Sequence, residues 1–457
     1  MALNEIKKVY FSGIGGIGVS ALARIYKAQG REVIGSDLTK TELTSDLESL
    51  GIKIFYSQEE KNITADIDLL IYSPALDEDH VERKTATSFD IEQKSYPEML
   101  GELMKSYNVG IGISGTNGKS TTTSILGLIM DKAELDPTVV VGSKVKKFNN
   151  SNTRIGAKNY FLVEACEYKE SMLNLEPQII GLTNIEEDHL DYYKDLTHIL
   201  GSFQKFINKL STTGLLSINV DDENSQKLDL PNCQITNFGI DNDADVMAQE
   251  IRIENKRQIF NLIYKGEDIG TISLKVPGKY NIYNALLAIS IALFLGVEFT
   301  PIKEALEEYS GIWRRFEVIG DRNDITFISD YAHHPTAVKE TLKAAREFYP
   351  KNRIVVAFQP HQHSRTKKLF DDFVGAFDKA DLLILSEIYN VSGRNEDDDV
   401  SSNDLVPLIK KRKVNAFYSP DVESTGQMLK DNIQPGDVVL IVGAGDIYKL
   451  VSQLYEN

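Results

Sequence analysis

An α/β fold in three successive domains is what this sequence predicts, on three observations. Short apolar runs rich in Val and Ile alternate with amphipathic segments of helical length, the pattern of parallel sheets with crossover helices. That alternation completes itself and restarts twice along the chain. Two strand-to-helix junctions are glycine-rich, a form that sets phosphate groups against a helix N-terminus. With 457 residues, 42% hydrophobic and 26% charged, the chain has ordinary globular composition and length for two or three packed domains.

The first domain, residues 1–107, is expected to be Rossmann-like. It opens with the strand Lys8-Val9-Tyr10-Phe11, followed by Gly13-Ile14-Gly15-Gly16-Ile17-Gly18, a G-x-G-x-x-G that begins a helix. Glycines let the backbone turn tightly and approach a diphosphate, and the amides of the helix N-terminus add positive potential. Asp37 ends the next strand, 19 positions after Gly18, where an acid that binds a ribose sits in dinucleotide sites. Alone, the motif leaves three readings open: a structural turn, a nicotinamide or flavin site, and a site for another nucleotide diphosphate.

The second domain, residues 108–317, carries a P-loop-type sheet. After the strand Val109 to Ile113 comes Gly115-Thr116-Asn117-Gly118-Lys119-Ser120 and then Thr121, at a plausible helix start. Position 113 is Ile, so this is a shortened relative of G-x-x-x-x-G-K-[ST]. Its mechanics are those of a triphosphate cradle: amides hold phosphate oxygens, Lys119 neutralises the β and γ phosphates, and the Ser120 hydroxyl can ligate magnesium. A glycine turn followed by a surface lysine is the bland alternative. Glu164 ends the strand Tyr160 to Val163 and is a second candidate oxygen ligand. His189 follows the strand Ile179 to Leu182, although a lone histidine is usually structural. Between Val246 and Val276 polar and apolar positions alternate, which suggests a small antiparallel sheet inside this domain.

The third domain, residues 318–457, follows a linker expected around Ile312 to Asn323 and is again α/β, with a strand at Ile354 to Phe358. Arg314 and Arg315 suit an anion contact, with a structural salt bridge as the competing role. The acidic run Glu396-Asp397-Asp398-Asp399 reads as a solvated loop. Cys166 and Cys233 are too few and too far apart for a disulfide framework or a zinc site. A formal charge of −17 opposes nonspecific attraction to nucleic acid or anionic lipid, so anionic ligands must be held locally. No run approaches the roughly 20 apolar residues of a membrane span, and the first residues show no charged-then-apolar leader pattern, so the expected location is cytoplasmic.

Taken together the segments resemble the Mur ligases of peptidoglycan synthesis, along essentially the whole chain. The marks are Gly13 to Ser20, Gly35-Ser36-Asp37, Ser73-Pro74-Ala75, Gly115 to Ser120, Glu164-Ala165-Cys166-Glu167 and Asn184 to Asp191. They continue with Pro277 to Asn281, Arg314 to Glu317, Asp330 to Thr336, Phe358 to His361 with Ser364-Arg365, and Gly443 to Asp446. The first loop and the run Asp330 to Arg365 are similar to the branch that adds L-alanine to UDP-N-acetylmuramate. The resemblance implies that the first loop holds the UDP of the sugar, with Gly13, Gly15, Gly16, Ile17, Gly18, Ser36, Asp37 and Ser73 as contacts. It implies ATP at Gly115 to Thr121, magnesium on Ser120, Glu164 and His189, and nucleotide contacts from Asn281 to adenine and Asp330 to ribose. His361 and Arg365 are implied for the face that meets the reacting substrates, and the linker for a closing hinge.

Several positions depart from that pattern. Asn117 replaces the branch's usual histidine, Ser120 a threonine, Cys166 an aspartate and Tyr280 a histidine, while Gln362-His363 replaces Arg-Tyr. The last change removes a positive charge and leaves the incoming amine open: another amino acid or a recycled tripeptide in place of L-alanine. Lys205, 16 residues after His189, is near the place where sister ligases carry a carbamylated lysine, but also fits a solvent-facing helix position. A nicotinamide-dependent oxidoreductase leaves the second loop unexplained, and a nucleotide-gated binding protein leaves Lys119 without a catalytic task.

Overall fold

The computed structural model describes residues 5–189, 192–390 and 399–455. Leu190, Asp191 and the acidic positions Glu396 to Asp398 lie outside the described residues. The expected α/β architecture forms as three sheets. The first is parallel, with Lys8–Ser12 (β1), Glu32–Ser36 (β2), Lys53–Phe55 (β3), Leu69–Tyr72 (β4) and Glu92–Ser95 (β5) in the order β3-β2-β1-β4-β5. The chain steps outward from β1 on one side, then returns to place β4 on the other. The loop after β1 therefore opens where strand order reverses, the place where open α/β sheets bind ligands.

The second sheet contains Val109–Ser114 (β6), Thr138–Val145 (β7), Ser151–Arg154 (β8), Tyr160–Glu164 (β9), Ile179–Leu182 (β10), Leu215–Asn219 (β11) and Gln234–Gly239 (β12). Their order is β8-β7-β9-β6-β10-β11-β12. β6 lies between β9 and β10, in register Ile113 to Glu164 and Ser114 to Leu182, so three strand ends meet beside the loop that follows β6. The alternating stretch from Val246 to Val276 forms the strands Val246–Glu254 (β13), Arg257–Tyr264 (β14) and Glu267–Leu274 (β15). They do not open a separate small sheet: Val246 and Met247 of β13 pair in parallel with Phe238 and Gly239 of β12, extending the sheet already present.

The third sheet runs β16-β17-β21-β18-β19-β20, from Glu317–Arg322 (β16), Ile325–Asp330 (β17), Ile354–Phe358 (β18), Leu382–Ser386 (β19), Asn415–Ser419 (β20) and Val438–Val442 (β21). Only β16 is antiparallel to its neighbour. Part of the expected linker is thus edge strand, turned back through Asn323 and Asp324 at positive φ. Period-two alternation covers both faces of this sheet: Val356 and Leu440 enter one buried cluster, Val355 and Val439 the other.

The chain divides into two compact units, one of residues 1–249, 261–270 and 283–306, the other of 250–260, 271–282 and 307–457. The first sheet and strands β6 to β12 of the second belong to one unit and share a core. Phe11 and Tyr26 of the first sheet's layer and Met99 and Leu103 of the helix Tyr96–Met104 belong to one buried cluster with Phe161, Met172 and Phe203. No described helix is long and apolar enough to cross a membrane.

Candidate active site

The loop after β6 is built for close backbone approach. Gly115 has φ +129° and Gly118 φ +88°, conformations that L side chains rarely adopt. Gly118 is the N-cap of the helix Lys119–Lys132 and no side chain caps that helix. A strap of residues after β10 fixes the loop: Thr116 N donates to Asn184 O at 2.9 Å, Asn117 N to Asn184 Oδ1 at 3.1 Å, and Thr183 Oγ1 to Asn117 O at 2.6 Å. Glu186 N donates to Thr116 Oγ1 at 2.9 Å. Behind the loop, Asn284 accepts from Thr122 Oγ1 at 3.3 Å and fills the space a Cβ on Gly118 would need.

Lys119 curls back into the loop. Its Nζ donates to Gly115 O at 2.6 Å and Thr116 O at 2.9 Å, and forms an ion pair with Glu167 Oε2 at 2.8 Å. Glu167, only 3% exposed, also faces His189, whose Nε2 lies 3.6 Å from Glu167 Oε1. Burial works against the Lys119 ammonium, but the charge and hydrogen bond of Glu167, together with Glu164 and Cys166, raise the pKa above the ordinary lysine value. Burial also works against the Glu167 carboxylate, but Lys119 and the hydrogen bond from His189 together hold it below the usual carboxylate range. For His189 burial opposes the charged form, yet the Glu167 hydrogen bond and the charges of Asp188 and Glu167 together raise its pKa.

Glu164 ends β9 with its carboxyl against Gly142; its Oε1 is buried and finds no hydrogen-bond partner among the described residues. An orphaned carboxylate oxygen suits a hard cation, and Ser120 in the first turn of the helix supplies a hydroxyl of the same chemical class. His189 instead turns its Nε2 to Glu167, with its ring centroid 4.7 Å from that of Tyr168. Among the described residues no group of three or more His, Cys, Asp or Glu side chains is arranged to hold a metal. Magnesium fits here as it commonly binds, through a few protein oxygens with water and phosphate completing the shell. Lys205 lies off this cluster, exposed and paired with Glu170 Oε1 at 2.9 Å.

The loop after β1 is shaped by strand-end residues. Gly13 N and Ile14 N both donate to Ser36 O at 2.9 Å, and Gly15 N donates to Asp37 Oδ2 at 2.9 Å. Asp37 thereby holds the loop itself. A Cβ on Gly15 would stand 2.8 Å from that carboxylate, and one on Gly13 2.9 Å from Ser73 Cβ, which explains glycine at both places. The helix Ile17–Ala28 starts after Gly16 with no side-chain cap, so the amides of Ile17 and Gly18 belong to a helix end suited to an anion.

In the other compact unit, Asp330 at the end of β17 is buried and accepts from Phe316 N at 2.6 Å and Ala332 N at 2.7 Å. Burial pushes its carboxyl up, against the pull of Arg315 and the two amides. Arg314 is 5% exposed; its guanidinium donates to the carbonyls of Gly443 and Gly445 and lies over Tyr448 and Tyr331, 4.4 and 4.8 Å from the ring centroids. That geometry gives Arg314 an internal task in holding the Gly443 to Gly445 loop, where the sequence suggested an anion contact. Asn281 Nδ2 donates to Pro277 O at 2.7 Å.

His361 stacks on Tyr389, with centroids 5.7 Å apart and planes at 11°, and its ring lies 5.8 Å from His333. Arg365 lies one turn on, its Nη1 3.4 Å from His361 Nδ1. His363, in contrast, is buried with Nδ1 2.9 Å from Val400 O. The residue that replaces the expected tyrosine therefore faces the interior.

Lys119 and His189, both singled out in the sequence, meet at Glu167, which the sequence reading does not name as a site residue although it closes the Glu164-Ala165-Cys166-Glu167 motif. The second acid three positions after Glu164 was the available signal. Thr183, Asn184 and Asn284 were missed because their contacts with the loop cross long sequence distances.

Comparison with known proteins agrees with this geometry. Three family models match in succession: "Mur ligase family, catalytic domain" over residues 8–108, "Mur ligase middle domain" over 113–292 and "Mur ligase, glutamate ligase domain" over 314–445. The UDP-N-acetylmuramate–L-alanine ligase of Clostridium tetani is 42% identical over 98% of this chain and 97% of its own. The ligase of the same name from Acetivibrio thermocellus is 43% identical over 98% and 95%. The solved UDP-N-acetylmuramate-alanine ligase of Thermotoga maritima superposes with a TM-score of 0.85 at 28% identity, covering 98% of each chain.

Proposed function

The chain belongs to the Mur ligase family, and from that premise we propose that it joins the carboxylate of UDP-N-acetylmuramate to the amine of L-alanine, with ATP as the energy source, in peptidoglycan synthesis. The observation that carries this reading is the likeness to relatives named for that reaction along 98% of the chain. The cradle after β6 supplies the chemistry it requires.

A carboxylate and an amine give an amide only when the departing oxygen is activated. Transfer of the γ-phosphoryl group of ATP to the muramate carboxylate forms an acyl phosphate and releases ADP. The alanine amine then attacks the acyl carbon, loses a proton, and phosphate leaves. Lys119 and the first-turn amides before Thr121 offset the charge of the transferring group, and most of the rate gain comes from positioning and electrostatics. Ser120, Glu164 and His189 would hold magnesium, which would supply positive charge to offset that of the phosphates.

We assign the UDP-sugar site to residues 1–107, the ATP site to 108–317, and the face for the reacting substrates, with His361 and Arg365, to 318–457. Asn281 and Asp330 are the adenine and ribose contacts in this assignment. Arg314 acts indirectly, through the Gly443 to Gly445 loop. ATP and a nucleotide sugar are cytoplasmic compounds, and we place the chain there.

Phosphate release, assayed with UDP-N-acetylmuramate, ATP and magnesium against L-alanine, glycine, L-serine and the recycled tripeptide, tests the reading. Turnover is expected with L-alanine first among these. Turnover with the tripeptide alone would retain the ligase and replace the amine substrate.

A further inference from the structure

Behind the glycine loop after β1 lies a carboxylate that neither ATP chemistry nor the motifs account for. Glu82, in the helix Val81–Ser88, is 0% exposed. Its Oε1 accepts from Tyr10 Oη at 2.7 Å and Asn62 Nδ2 at 3.2 Å, and its Oε2 from Ser36 Oγ at 2.7 Å and from Ser12 Oγ. These donors come from three separate elements: β1, β2 and the short helical turn Glu60–Asn62. All four are neutral, and among the described residues no Lys, Arg or His forms an ion pair with Glu82. An ionised carboxylate is acceptor-only with room for about four donors, and the arrangement uses that capacity in full. A glutamine of the same size offers acceptors at one atom only, so two of the four hydrogen bonds must be lost or turned round.

Two of these partners are the residues from which the loop hangs. Ser12 is the last residue of β1, directly before Gly13, and its carbonyl accepts from Ser73 N at 3.0 Å. Ser36 ends β2, and its carbonyl takes both Gly13 N and Ile14 N. The side chains of both serines are held by one carboxylate oxygen while their main chains hold the loop. Fixing the two strand ends relative to each other fixes where the amides of Ile17 and Gly18 point. Displacements of about 1 Å in such a site can cost up to about a hundredfold in rate.

We infer that Glu82 is a positioning residue for the nucleotide-sugar site, acting through Ser12 and Ser36 on the Gly13 to Gly18 loop; this rests on the reading that the loop holds the UDP sugar. A merely structural glutamate would lower stability or affect all kinetic constants together. A positioning glutamate shifts the constant for one substrate.

The test measures steady-state kinetics of Glu82→Gln in the full-length chain with each substrate varied in turn. The expected result is a KM for UDP-N-acetylmuramate raised about tenfold, with kcat and the KM for ATP within about twofold of the parent. Should Glu82→Gln not fold, Tyr10→Phe removes one donor from the cluster and is expected to raise the same KM two- to threefold. An unchanged sugar KM in the variant that folds, or a parallel rise in the KM for ATP, overturns the proposal. Gly15→Ala, whose Cβ would press on Asp37, serves as the separate check on the loop. If Gly15→Ala raises the sugar KM and the Glu82 and Tyr10 variants do not, only the positioning role fails; if none of them does, the loop is not the sugar site.

Discussion

Lys119 and Glu167 hold each other's charge with side-chain exposures of 15% and 4%. Removing one partner of a buried pair leaves an uncompensated charge, which costs about 3–5 kcal/mol. Glu167→Gln is therefore expected to lose about 3 kcal/mol of unfolding free energy at pH 7, read by urea denaturation. The sign of the pH dependence follows from the depressed pKa of Glu167. The carboxylate's contribution is complete above its unfolded value of 4.5 and is lost as pH falls through the lower folded value. The gap between parent and variant should close in acid, and a gap of equal size at pH 3 and pH 7 would remove the ion pair as its source. At this scale the sequence showed Lys119 and Glu164 because loop chemistry and strand ends are local. It did not show the pairing of Lys119 with Glu167, 48 positions away, because only tertiary structure brings those positions together.

The start of the helix Lys119–Lys132 depends on one backbone conformation. Gly118 sits at φ +88°, and a side chain there would meet both left-handed strain and Asn284. Strain of this kind costs about 1–3 kcal/mol. Gly118→Ala should lose that much stability and raise the KM for ATP about tenfold, because the first-turn amides and Lys119 shift together. An ATP KM unchanged in a folded Gly118→Ala protein would show that the amides do not cradle the nucleotide. Strand and helix placement was legible at this level wherever period-two or amphipathic patterns were strong, as at β6, β9 and β18. The linker reading failed at β16 because an edge strand of mixed exposure, Glu317-Val318-Ile319-Gly320-Asp321-Arg322, carries no clear pattern. The separate small sheet failed for a related reason: alternation reports that a strand is half-buried, and says nothing about which neighbour it joins.

Three sheets follow from a β/α alternation that restarts twice, yet the chain falls into two compact units. Packing between the first two sheets, such as the approach of Gly101 to the carbonyl of Asn174, involves residues distant in sequence and leaves no periodic trace. The third sheet differs, since each of its faces is covered by its own buried cluster drawn largely from residues after 307. A sheet buried on both faces by its own helices meets the usual condition for independent folding. A fragment of residues 307–457 is accordingly expected to show native-like far-UV circular dichroism and a cooperative urea transition, and to release no phosphate from ATP. It lacks Tyr280, which packs against one of those clusters, and Lys256, which lies 4.6 Å from the Tyr349 ring centroid. Loss of the partly buried tyrosine alone should remove about 1 kcal/mol relative to a fragment that includes residues 271–282. A fragment that unfolds without cooperativity and binds hydrophobic dye would mean that the third sheet needs the segments 250–260 and 271–282 to fold, and that its apparent self-sufficiency belongs to the larger unit.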